Sequence, residues 1–431
     1  MPTPSLLIVP ARFKSGKLYS QIPTSGAGDF TVTRATTATR VNASGLIESV
    51  ASGIPRLDYF SSDGTVGCPA LLVEPSAQNL VFHSSDWTSN WNAGTASGTT
   101  VVTNSAISLA PDGTATANEI YPTSGNTNHV RTSNSTTAVT YVSGTVYTQS
   151  AFFKAGIGVG IQVQLHNPAA RFAQSGYANF DLINGLVSVV SGTTADTFRA
   201  ARIENYGNGW YRCSYSATCT SAGTGVGVIP TLIAASGDTR SPSFSGTVTD
   251  YLLGWGAQLE TGSVATSYIP TTTAAVTRNA DVVLVSGAVS GSIGQTSGTF
   301  YLDISYAIRG TSTGNRWLEL SSATNNIGLA VAAADVVRSI VNAQSDILPL
   351  TPSTALGIKI AWGYDGSGVV LFVNGTQYTL TNGGAQVITS LDKVLIDMSS
   401  TAGTRMAYAR IRAISCYQTR LSNAELAALT A

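Results

Sequence analysis

A hydrolase-like pattern occurs in Gly310-Thr-Ser-Thr-Gly314, which fits the GxSxG spacing of serine nucleophiles. In such enzymes the serine lies on a sharp turn that joins a strand to a helix, and its hydroxyl attacks an ester or amide carbonyl. The segment that follows, Arg316 to Leu320, has the alternation of another strand. We therefore predict a hairpin loop, and not a catalytic role, for Ser312.

A second glycine pattern, Gly156-Ile-Gly-Val-Gly160, imitates part of a dinucleotide-binding loop. A pyrophosphate needs a helix N-terminus directly after such a loop, and a strand pattern follows here instead. The sequence therefore predicts a tight turn.

Potential metal ligands are widely spaced. His83, His129 and His166 are far apart, and neither HExxH nor an Asp-rich calcium loop is present. The four cysteines form no CxxC pair. Cys213 and Cys219 would lie about 20 Å apart on one strand, beyond disulfide reach, so we predict two buried core residues. We expect no metal site and no cofactor.

An acid pair for glycoside hydrolysis cannot be selected either. A glycosidase needs two carboxylates that flank the sugar, and nothing distinguishes any pair among the 23 acidic residues. Without a nucleophile, a metal site or an acid pair, we expect no enzymatic activity.

Tryptophan rings are the natural platform for sugars, because the C–H faces of a pyranose pack against them. Trp255 lies between two glycines of a strand and Trp362 follows the alternation of Ile358, so both are predicted to be core residues. The candidate glycan-binding rings have more polar surroundings; they are Trp87, Trp91 and Trp210. The alternative for these three is packing against another module or subunit.

Composition narrows the class of partner. Only 11% of the residues are charged, 43% are hydrophobic, and the net charge is +0. Such a chain lacks the electrostatic attraction on which binders of nucleic acid and anionic membranes depend. No apolar run approaches the ~18 residues of a membrane span, and no secretory signal precedes the first strand pattern. We expect a protein made in a cytoplasm, with neither nucleic acid nor membrane as partner.

Short runs of alternating apolar and polar residues predict an all-β fold of antiparallel strands. From Trp210 to Cys219, the predicted core face contains Cys213, Tyr215 and Ala217, and Trp210 lies on the opposite face. Dipeptides that tolerate positive φ predict hairpins at Asn184-Gly185, Asp365-Gly366 and Asn374-Gly375, the last two within a three-stranded meander from Ile358 to Leu380.

One short helix is predicted at the C-terminus. Ser422 and Glu425 have the spacing of a capping box ahead of Leu426 and Leu429. The helix should therefore occupy the segment from Ser422 to Thr430.

The chain of 431 residues is longer than one apolar core of ~250 to 300 residues supports, so we expect several units. The predicted units are an extended N-terminal arm (1–84), a jelly-roll-like β-sandwich (85–270), a Thr- and Ala-rich connector (271–280) and a second β-sandwich (281–431). The arm has few evident strand pairs, so we expect a neighbour to order it. Its candidate docking residues are Leu6, Leu7, Ile8, Phe13 and Tyr19.

Ordered motifs run through all three large zones. The N-terminal series is Pro4-Ser-Leu-Leu-Ile-Val-Pro10, Gly28-Asp-Phe-Thr-Val-Thr-Arg-Ala-Thr-Thr-Ala-Thr-Arg40, Gly45-Leu-Ile-Glu48, Pro55-Arg-Leu-Asp-Tyr59, Cys68-Pro-Ala-Leu-Leu-Val-Glu-Pro75 and Asn79-Leu80. The middle zone has Ala110-Pro-Asp-Gly-Thr114, Gly209-Trp-Tyr-Arg-Cys213, Gly256-Ala-Gln-Leu-Glu260, Thr266-Ser-Tyr-Ile-Pro270 and Thr277-Arg278. The last zone has Ile358 to Gly375 and Tyr417-Gln-Thr-Arg-Leu-Ser-Asn-Ala-Glu-Leu426. This series resembles head spike fibre and tail fibre proteins of bacteriophages.

The resemblance implies a structural protein of the virion, mounted on head or tail. It implies that the arm docks on capsid, portal or tail proteins, that the middle zone is a carbohydrate-binding-like jelly roll, and that the last zone is a concanavalin-like (laminin-G-type) sandwich. The implied partner outside the virion is host cell-surface polysaccharide. Similar fibres are trimers, which implies a homotrimer.

Two alternatives remain open. A capsid decoration or cement protein would bind virion neighbours and no host glycan. A tail-spike polysaccharide depolymerase would be an enzyme, but such spikes usually show long runs of β-helix coils, and no fixed short period is visible here.

Overall fold

The structure is a computed structural model that describes the chain except residues 94–97, 135, 159–161, 167, 169, 173–175, 192–198, 248, 287–290, 309–314, 323, 333–335, 343, 349–356, 383 and 397–407. The described residues form antiparallel strand ladders and, at the C-terminus, the short helix α1 (Asn423–Thr430). The predicted all-β fold with one C-terminal helix is confirmed. Within this part of the chain, no helix is long and apolar enough to cross a membrane.

The middle zone forms a sandwich, which we call the jelly-roll sandwich. Its strands are β10 (Trp91–Ala93), β11 (Thr99–Val102), β12 (Asn118–Pro122), β13 (Gly125–Ser133), β14 (Val139–Tyr141), β15 (Val146–Ile157), β16 (Gln162–His166), β17 (Tyr177–Asp181), β18 (Leu186–Ser191), β19 (Arg199–Asn205), β20 (Trp210–Thr218), β21 (Gly223–Gly225), β22 (Pro230–Ile233), β23 (Ser243–Gly246) and β24 (Tyr251–Thr261). One sheet has the order β11-β12-β24-β15-β20-β19, and the other has the order β10-β13-β22-β16-β17-β18 with β23 beside β13. Side chains from both sheets, including Phe153, Cys213, Phe180 and Leu232, share one core.

The last zone supplies most of a second sandwich, which we call the C-terminal sandwich. Its segments are β25 (Val276–Arg278), β26 (Val282–Ser286), β27 (Gly298–Ile308), β28 (Asn315–Ser321), β29 (Asn326–Ala332), β30 (Val336–Val341), β31 (Gln344–Ile347), β32 (Ile358–Asp365), β33 (Gly368–Val373), β34 (Thr376–Tyr378), β35 (Lys393–Ile396) and β36 (Tyr408–Tyr417). Strand β25 pairs outside the two large sheets. The core between those sheets contains Phe300, Leu320 and Trp362.

Most strands of the first 84 residues belong to the two large sheets of this second sandwich. Their strands are β1 (Leu6–Ile8), β2 (Phe13–Lys14), β3 (Lys17–Leu18), β4 (Phe30–Thr33), β5 (Ala38–Val41), β6 (Ile47–Val50), β7 (Leu57–Phe60), β8 (Val66–Val73) and β9 (Ala77–Asn79). One sheet has the order β34-β33-β32-β27-β36-β8-β7 with β1 also on β36, and the other runs β2-β3-β4-β26-β35-β28-β29-β30-β31. The neighbour that orders this segment is therefore the C-terminal part of the same chain.

A hairpin from the N-terminal segment also covers the jelly-roll sandwich. Strands β5 and β6 pair with each other, and Val41 and Ile47 pack in a third core with Phe152, Trp210 and Trp255. These aromatic residues lie on β15, β20 and β24, on the face that points away from the jelly-roll core. The N-terminal segment thus contacts both sandwiches.

The predicted unit boundaries fall on ordered residues. Ser84 is fully buried, and its hydroxyl bonds the Tyr268 hydroxyl at 2.7 Å. Within the predicted connector, Thr271 is buried and β25 pairs with β9. The division at residues 84, 270 and 280 stays a prediction about folding units.

The predictions of three hairpins and of the helix cap are confirmed, whereas the turn predicted at Gly156-Ile-Gly-Val-Gly160 runs into residues 159–161, outside the described residues. Residues Asn374 and Gly375, with φ of 45° and 80°, connect β33 to β34, and the other two dipeptides lie in the β17–β18 and β32–β33 connections. Ser422 is the N-cap of α1, and both bonds of its capping box with Glu425 are present. The pattern at 310–314, with Ser312, lies outside the described residues, as do the side chains of Trp317 and His166.

Candidate functional site

The three tryptophans predicted to bind glycans are buried, which corrects that prediction. The exposed fraction is 0% for Trp87, 6% for Trp91 and 2% for Trp210. Trp87 and Trp91 stack on each other with ring centroids 4.6 Å apart, and the Trp210 indole N–H donates to the Leu109 carbonyl at 3.0 Å. No face of these rings is free for a sugar, because each is occupied by protein.

The other aromatic and cysteine predictions are confirmed. Trp255 and Trp362 are buried, and their indole N–H groups donate to Thr116 Oγ1 and Ser339 Oγ at 2.9 Å. Cys213 and Cys219 are buried free thiols in the jelly-roll core. These residues contribute to packing.

The docking residues predicted on the arm differ in how far the fold buries them. Leu6 and Ile8 are buried in the core of the C-terminal sandwich, because β1 pairs with β36, and they are corrected to core residues. Leu7 and Tyr19 are half-buried. Phe13, on the edge strand β2, is 37% exposed and keeps a surface that a neighbour can contact.

A buried cluster of charged side chains lies where the N-terminal segment meets both sandwiches. We call it the ionic junction, and it consists of Arg34, Arg56, Glu74, Arg278 and Asp281. All five side chains are at most 2% exposed. Two of them, Arg34 and Glu74, directly follow β4 and β8; Arg56 and Asp281 directly precede β7 and β26; and Arg278 is the last residue of β25.

Arg56 lies at the centre of the ionic junction. Its Nη1 atom lies 2.6 Å from Glu74 Oε2, and its Nη2 group pairs with Asp281 Oδ2. Arg34 Nη1 lies 2.8 Å from Asp281 Oδ1, and Arg278 Nη2 lies 3.6 Å from Glu74 Oε2. Two carboxylates therefore connect three guanidinium groups.

Backbone and hydroxyl groups complete the carboxylates' hydrogen bonds. The Ser267 N–H and hydroxyl donate to the two Glu74 oxygens at 2.6 and 2.5 Å. The Glu74 N–H donates to Asp281 Oδ2 at 3.0 Å, and the Asp281 N–H donates to the Glu74 carbonyl at 3.0 Å. Buried ions are tolerated when their hydrogen bonds are satisfied in this way.

Electrostatics hold the junction in its charged form. Burial alone would raise the pKa of Glu74, but the charges of Arg278 and Arg56 and the bonds from Ser267 outweigh it and lower that pKa to about 2. Burial opposes the charge of Arg56 as well, and Asp281 and Glu74 outweigh it, so its pKa lies above the ordinary value. Glu74 is therefore a carboxylate throughout the physiological range.

Further buried polar groups surround the junction. Arg410 pairs with Asp58 through its Nε group, and its guanidinium lies 4.4 Å from the centre of the Phe60 ring. Asn79 donates to the Ile269 carbonyl at 2.8 Å. The Arg410 contacts join β36 to β7, and the Asn79 bond joins β9 to the segment that ends the jelly-roll sandwich.

A small cleft opens beside the junction. Its lining combines hydroxyl groups, an aromatic ring and one guanidinium group; it includes Thr37, Thr39, Ser49, Tyr268, Thr277 and Arg278. Among the described residues, no group of three or more His, Cys, Asp or Glu side chains could hold a metal ion. The site can thus fix segments relative to one another through buried ion pairs.

Four of the five junction residues, Arg34, Arg56, Glu74 and Arg278, lie within the sequence motifs described above. The motifs gave no indication that these residues meet. The sequence does contain one sign of the junction: these are charged residues next to apolar strand residues, in a chain of which only 11% of the residues are charged. Such residues are almost never fully buried unless they are paired.

Comparison with known proteins gives no family. No family model matches the chain, and no curated protein matches it. Solved structures similar to parts of it include the CBM40 of the Ruminococcus gnavus IT-sialidase bound to α2,3-sialyllactose (17% identity, 33% of this chain and 88% of that chain, TM-score 0.26). Others are the Trypanosoma rangeli sialidase in complex with sialic acid (9%, 72% and 59%, 0.28) and the receptor-binding domain of botulinum neurotoxin D (11%, 35% and 41%, 0.26). TM-scores this low carry no argument about what this chain does.

Proposed function

We propose that this chain is a non-enzymatic structural appendage of a bacteriophage virion, a head or tail fibre or spike that assists adsorption to host surface glycans. The observation that carries the proposal is the ionic junction. Its residues Arg34, Arg56, Glu74 and Arg278 belong to the motifs that resemble phage fibres, and they meet in one buried cluster although they are far apart in sequence.

A junction of this kind suits a projecting appendage. Removing one partner of a buried ion pair leaves an uncompensated charge, so such a cluster favours the one arrangement in which all partners meet. The N-terminal segment and the two sandwiches are therefore held in a fixed relative placement. An appendage needs such stiffness to keep its distal surface away from its mount.

Two features support a glycan as the outer partner. The net charge of +0 and the low charged fraction favour uncharged or weakly charged ligands over polyanions. The lining of the cleft beside the junction includes the hydroxyl-bearing residues Thr37, Thr39, Ser49 and Thr277, which suit a ligand with hydroxyl groups. Multiple copies would raise the avidity of such a site by ~10² to 10⁴, which supports a homo-oligomer, and the resemblance to phage fibres suggests a trimer.

Labelling of virions tests whether the chain is attached to the head or the tail of the virion. Gold-labelled antibodies against the purified chain, applied to the phage that encodes it, are expected to mark projections on the head or the tail. Virions without label would contradict a structural role. Mass photometry of the purified chain is expected to give three times the 44.5 kDa of one chain, and a stable monomer would contradict the trimer.

Binding and turnover assays test the role and separate the alternatives. The purified chain should bind host polysaccharide and compete with phage adsorption to host cells, without releasing reducing ends. A cement protein would label virions but bind no polysaccharide. A depolymerase would release reducing ends, and either result would replace the proposed function.

A further inference from the structure

The hairpin of β2 and β3 concentrates positive charge on a small surface. We call this surface the basic face, and it consists of Arg12, Lys14, Lys17 and Tyr19. The first 28 residues of the chain contain these three cations and no acidic residue, although the whole chain has a net charge of +0. The positive charge of the hairpin is therefore a local excess.

The register of the hairpin places these four side chains together. Lys14 pairs directly with Lys17, and the Tyr19 N–H donates to the Arg12 carbonyl at 2.9 Å. Residues opposite each other on antiparallel strands share a face, as do residues two apart along one strand. Leu18, between Lys17 and Tyr19, is fully buried in the core of the C-terminal sandwich. The basic face is therefore the solvent side of the hairpin.

Two cations lie beside the Tyr19 ring. The guanidinium carbon of Arg12 is 5.7 Å from the ring centre, and the Lys14 Nζ atom is 5.8 Å from it. Such contacts are attractive, because the face of an aromatic ring is negative. They restrict the two long side chains before a partner arrives, which lowers the entropic cost of binding.

Nearby carboxylates do not balance the basic face. Asp29 lies 3.4 Å from Lys17 Nζ, and its other oxygen accepts hydrogen bonds from Ser20. In the part of the chain that the structure describes, no carboxylate pairs with Arg12 or Lys14. Lys14 and Lys17 are like charges directly opposite each other, which destabilises an antiparallel pair. An acidic partner would relieve this repulsion.

The number of cations indicates which class of acidic partner fits. Proteins that bind DNA through its phosphates commonly make about 6 to 10 phosphate contacts, and basic segments that bind anionic membranes contain about 4 to 8 Lys or Arg residues. The basic face has three cations. Its combination of arginine and tyrosine is typical of protein interfaces, where both residues are enriched. Phe13, 37% exposed on the same edge strand, adds apolar contact area.

We infer that the basic face binds an acidic patch on a neighbouring protein of the virion, with carboxylates of that protein on Arg12 and Lys14. The inference rests on the proposed function and deepens it by naming the chemistry of the partner. Strand β2 ends its nine-stranded sheet, so a neighbour can approach the hairpin from outside the sheet. Arg12 and Lys14 are both exposed there.

A charge reversal at Lys14 tests the inference without weakening the hairpin. In Lys14→Glu the new carboxylate lies opposite Lys17, so an attractive pair replaces a repulsive one and the melting temperature should stay the same or rise. The same carboxylate repels an acidic partner. Cells infected by a phage that lacks the gene for this chain receive the natural chain or a variant from a plasmid, and quantitative immunoblots count the copies in purified virions. Lys14→Glu should reduce the copies per virion at least about tenfold.

Three further variants show whether the charge of the basic face is responsible. Arg12→Glu repeats the reversal at an exposed position opposite Tyr19 and should give a similar loss. Lys14→Arg keeps the charge and should be incorporated like the natural chain. Thr137→Glu combined with Thr140→Glu lowers the net charge as much as Lys14→Glu does, at exposed positions of the jelly-roll sandwich, and should also be incorporated normally. Normal incorporation of both reversal variants, or loss of either control variant, would overturn the inference.

The same experiment separates the inference from the proposed function. If virions contain the natural chain and both reversal variants in equal numbers, the basic face is not the docking surface and the proposed function stands. If virions do not contain the natural chain, both are wrong.

Titration of the purified chain with other polyanions tests the class of partner. The probes are a double-stranded DNA oligonucleotide and phosphatidylglycerol vesicles, and neither is expected to bind through the basic face. Binding to either probe that Lys14→Glu abolishes would assign the basic face to a different class of ligand and overturn the inference.

Discussion

The core of the C-terminal sandwich and the ionic junction bury side chains to the same degree with opposite chemistry. In the sandwich core, Phe300 and Trp362 stack with ring centroids 5.5 Å apart, and contact between apolar surfaces supplies the stability. In the junction, Arg56 and Glu74 are equally buried, and every partner must be present for the charges to be tolerated. Apolar packing forms each sandwich, and the junction joins the segments around it through buried ion pairs.

The largest expected effect comes from removing the centre of the junction. Arg56→Met should lower the free energy of unfolding by about 3 to 5 kcal/mol, because Glu74 and Asp281 lose their shared cation inside the protein. Urea denaturation followed by circular dichroism measures the change. The control is Arg412→Met, which removes the 2.7 Å ion pair of the 38% exposed Arg412 with Asp303 and should cost about 0 to 1 kcal/mol. Equal losses of unfolding free energy in the two variants would contradict the expected difference between buried and exposed ion pairs.

A comparable loss is expected from the aromatic core beneath the β5–β6 hairpin. Trp210→Ala should cost about 3 to 5 kcal/mol, since the indole is 2% exposed and no other residue can fill its volume. Thermal unfolding measures it, with Leu186→Ala, at a 59% exposed position, as the control. A melting temperature unchanged in Trp210→Ala would place the ring at the surface after all.

Acid should weaken the junction before it affects the apolar cores. The pKa of Glu74 is about 2 in the folded protein, against an ordinary value of 4.5, so its contribution is fully present above pH 4.5. It is lost as the pH falls from 4.5 towards 2, and its size is about 3 kcal/mol.

The variant Glu74→Gln isolates the contribution of the Glu74 charge to the free energy of unfolding. It should be less stable than the natural chain at pH 7, and the difference should narrow as the pH falls below about 4.5. Urea midpoints at several pH values measure the difference. A constant difference between pH 7 and pH 2.5 would mean that Glu74 does not titrate in this window.

The smallest expected effect concerns the N-cap of α1, which belongs to neither the sandwich core nor the ionic junction. Ser422→Ala removes the N-cap of α1 and should cost about 1 kcal/mol, because the Glu425 N–H loses its acceptor. Thr140→Ala, at an exposed position of β14, is the control. If both changes leave the urea midpoint unchanged, the capping box contributes nothing to stability.

Features set by a few neighbouring residues were predictable from sequence. The Asn374-Gly375 turn follows from the positive φ that both residues tolerate, and the helix start follows from the capping chemistry of Ser422 and Glu425. The sequence also predicts which face of β20 points into the core, the face with Cys213 and Tyr215, because the alternation of side chains along a strand determines it.

Features set by distant residues were not predictable. Trp210 does lie on the face opposite Cys213, but Val41 and Ile47 cover that face from a hairpin about 170 residues earlier. Leu6 is a core residue because it pairs with Cys416 near the other end of the chain. The junction is predictable only in part, since its residues stand in recognisable motifs but their meeting requires the complete fold.

The pairing of β1 with β36 has a consequence for the order of events during synthesis. Ribosomes add roughly 5 to 20 residues per second, so Leu6 is made roughly 20 to 80 s before its partner Cys416. The jelly-roll sandwich emerges during this interval and has its own sheets to close. Strands β1 and β8 must wait to join their sheet, because their partner β36 is made after the whole jelly-roll sandwich. The C-terminal sandwich, whose first strands are made before the jelly-roll sandwich, is therefore completed after it.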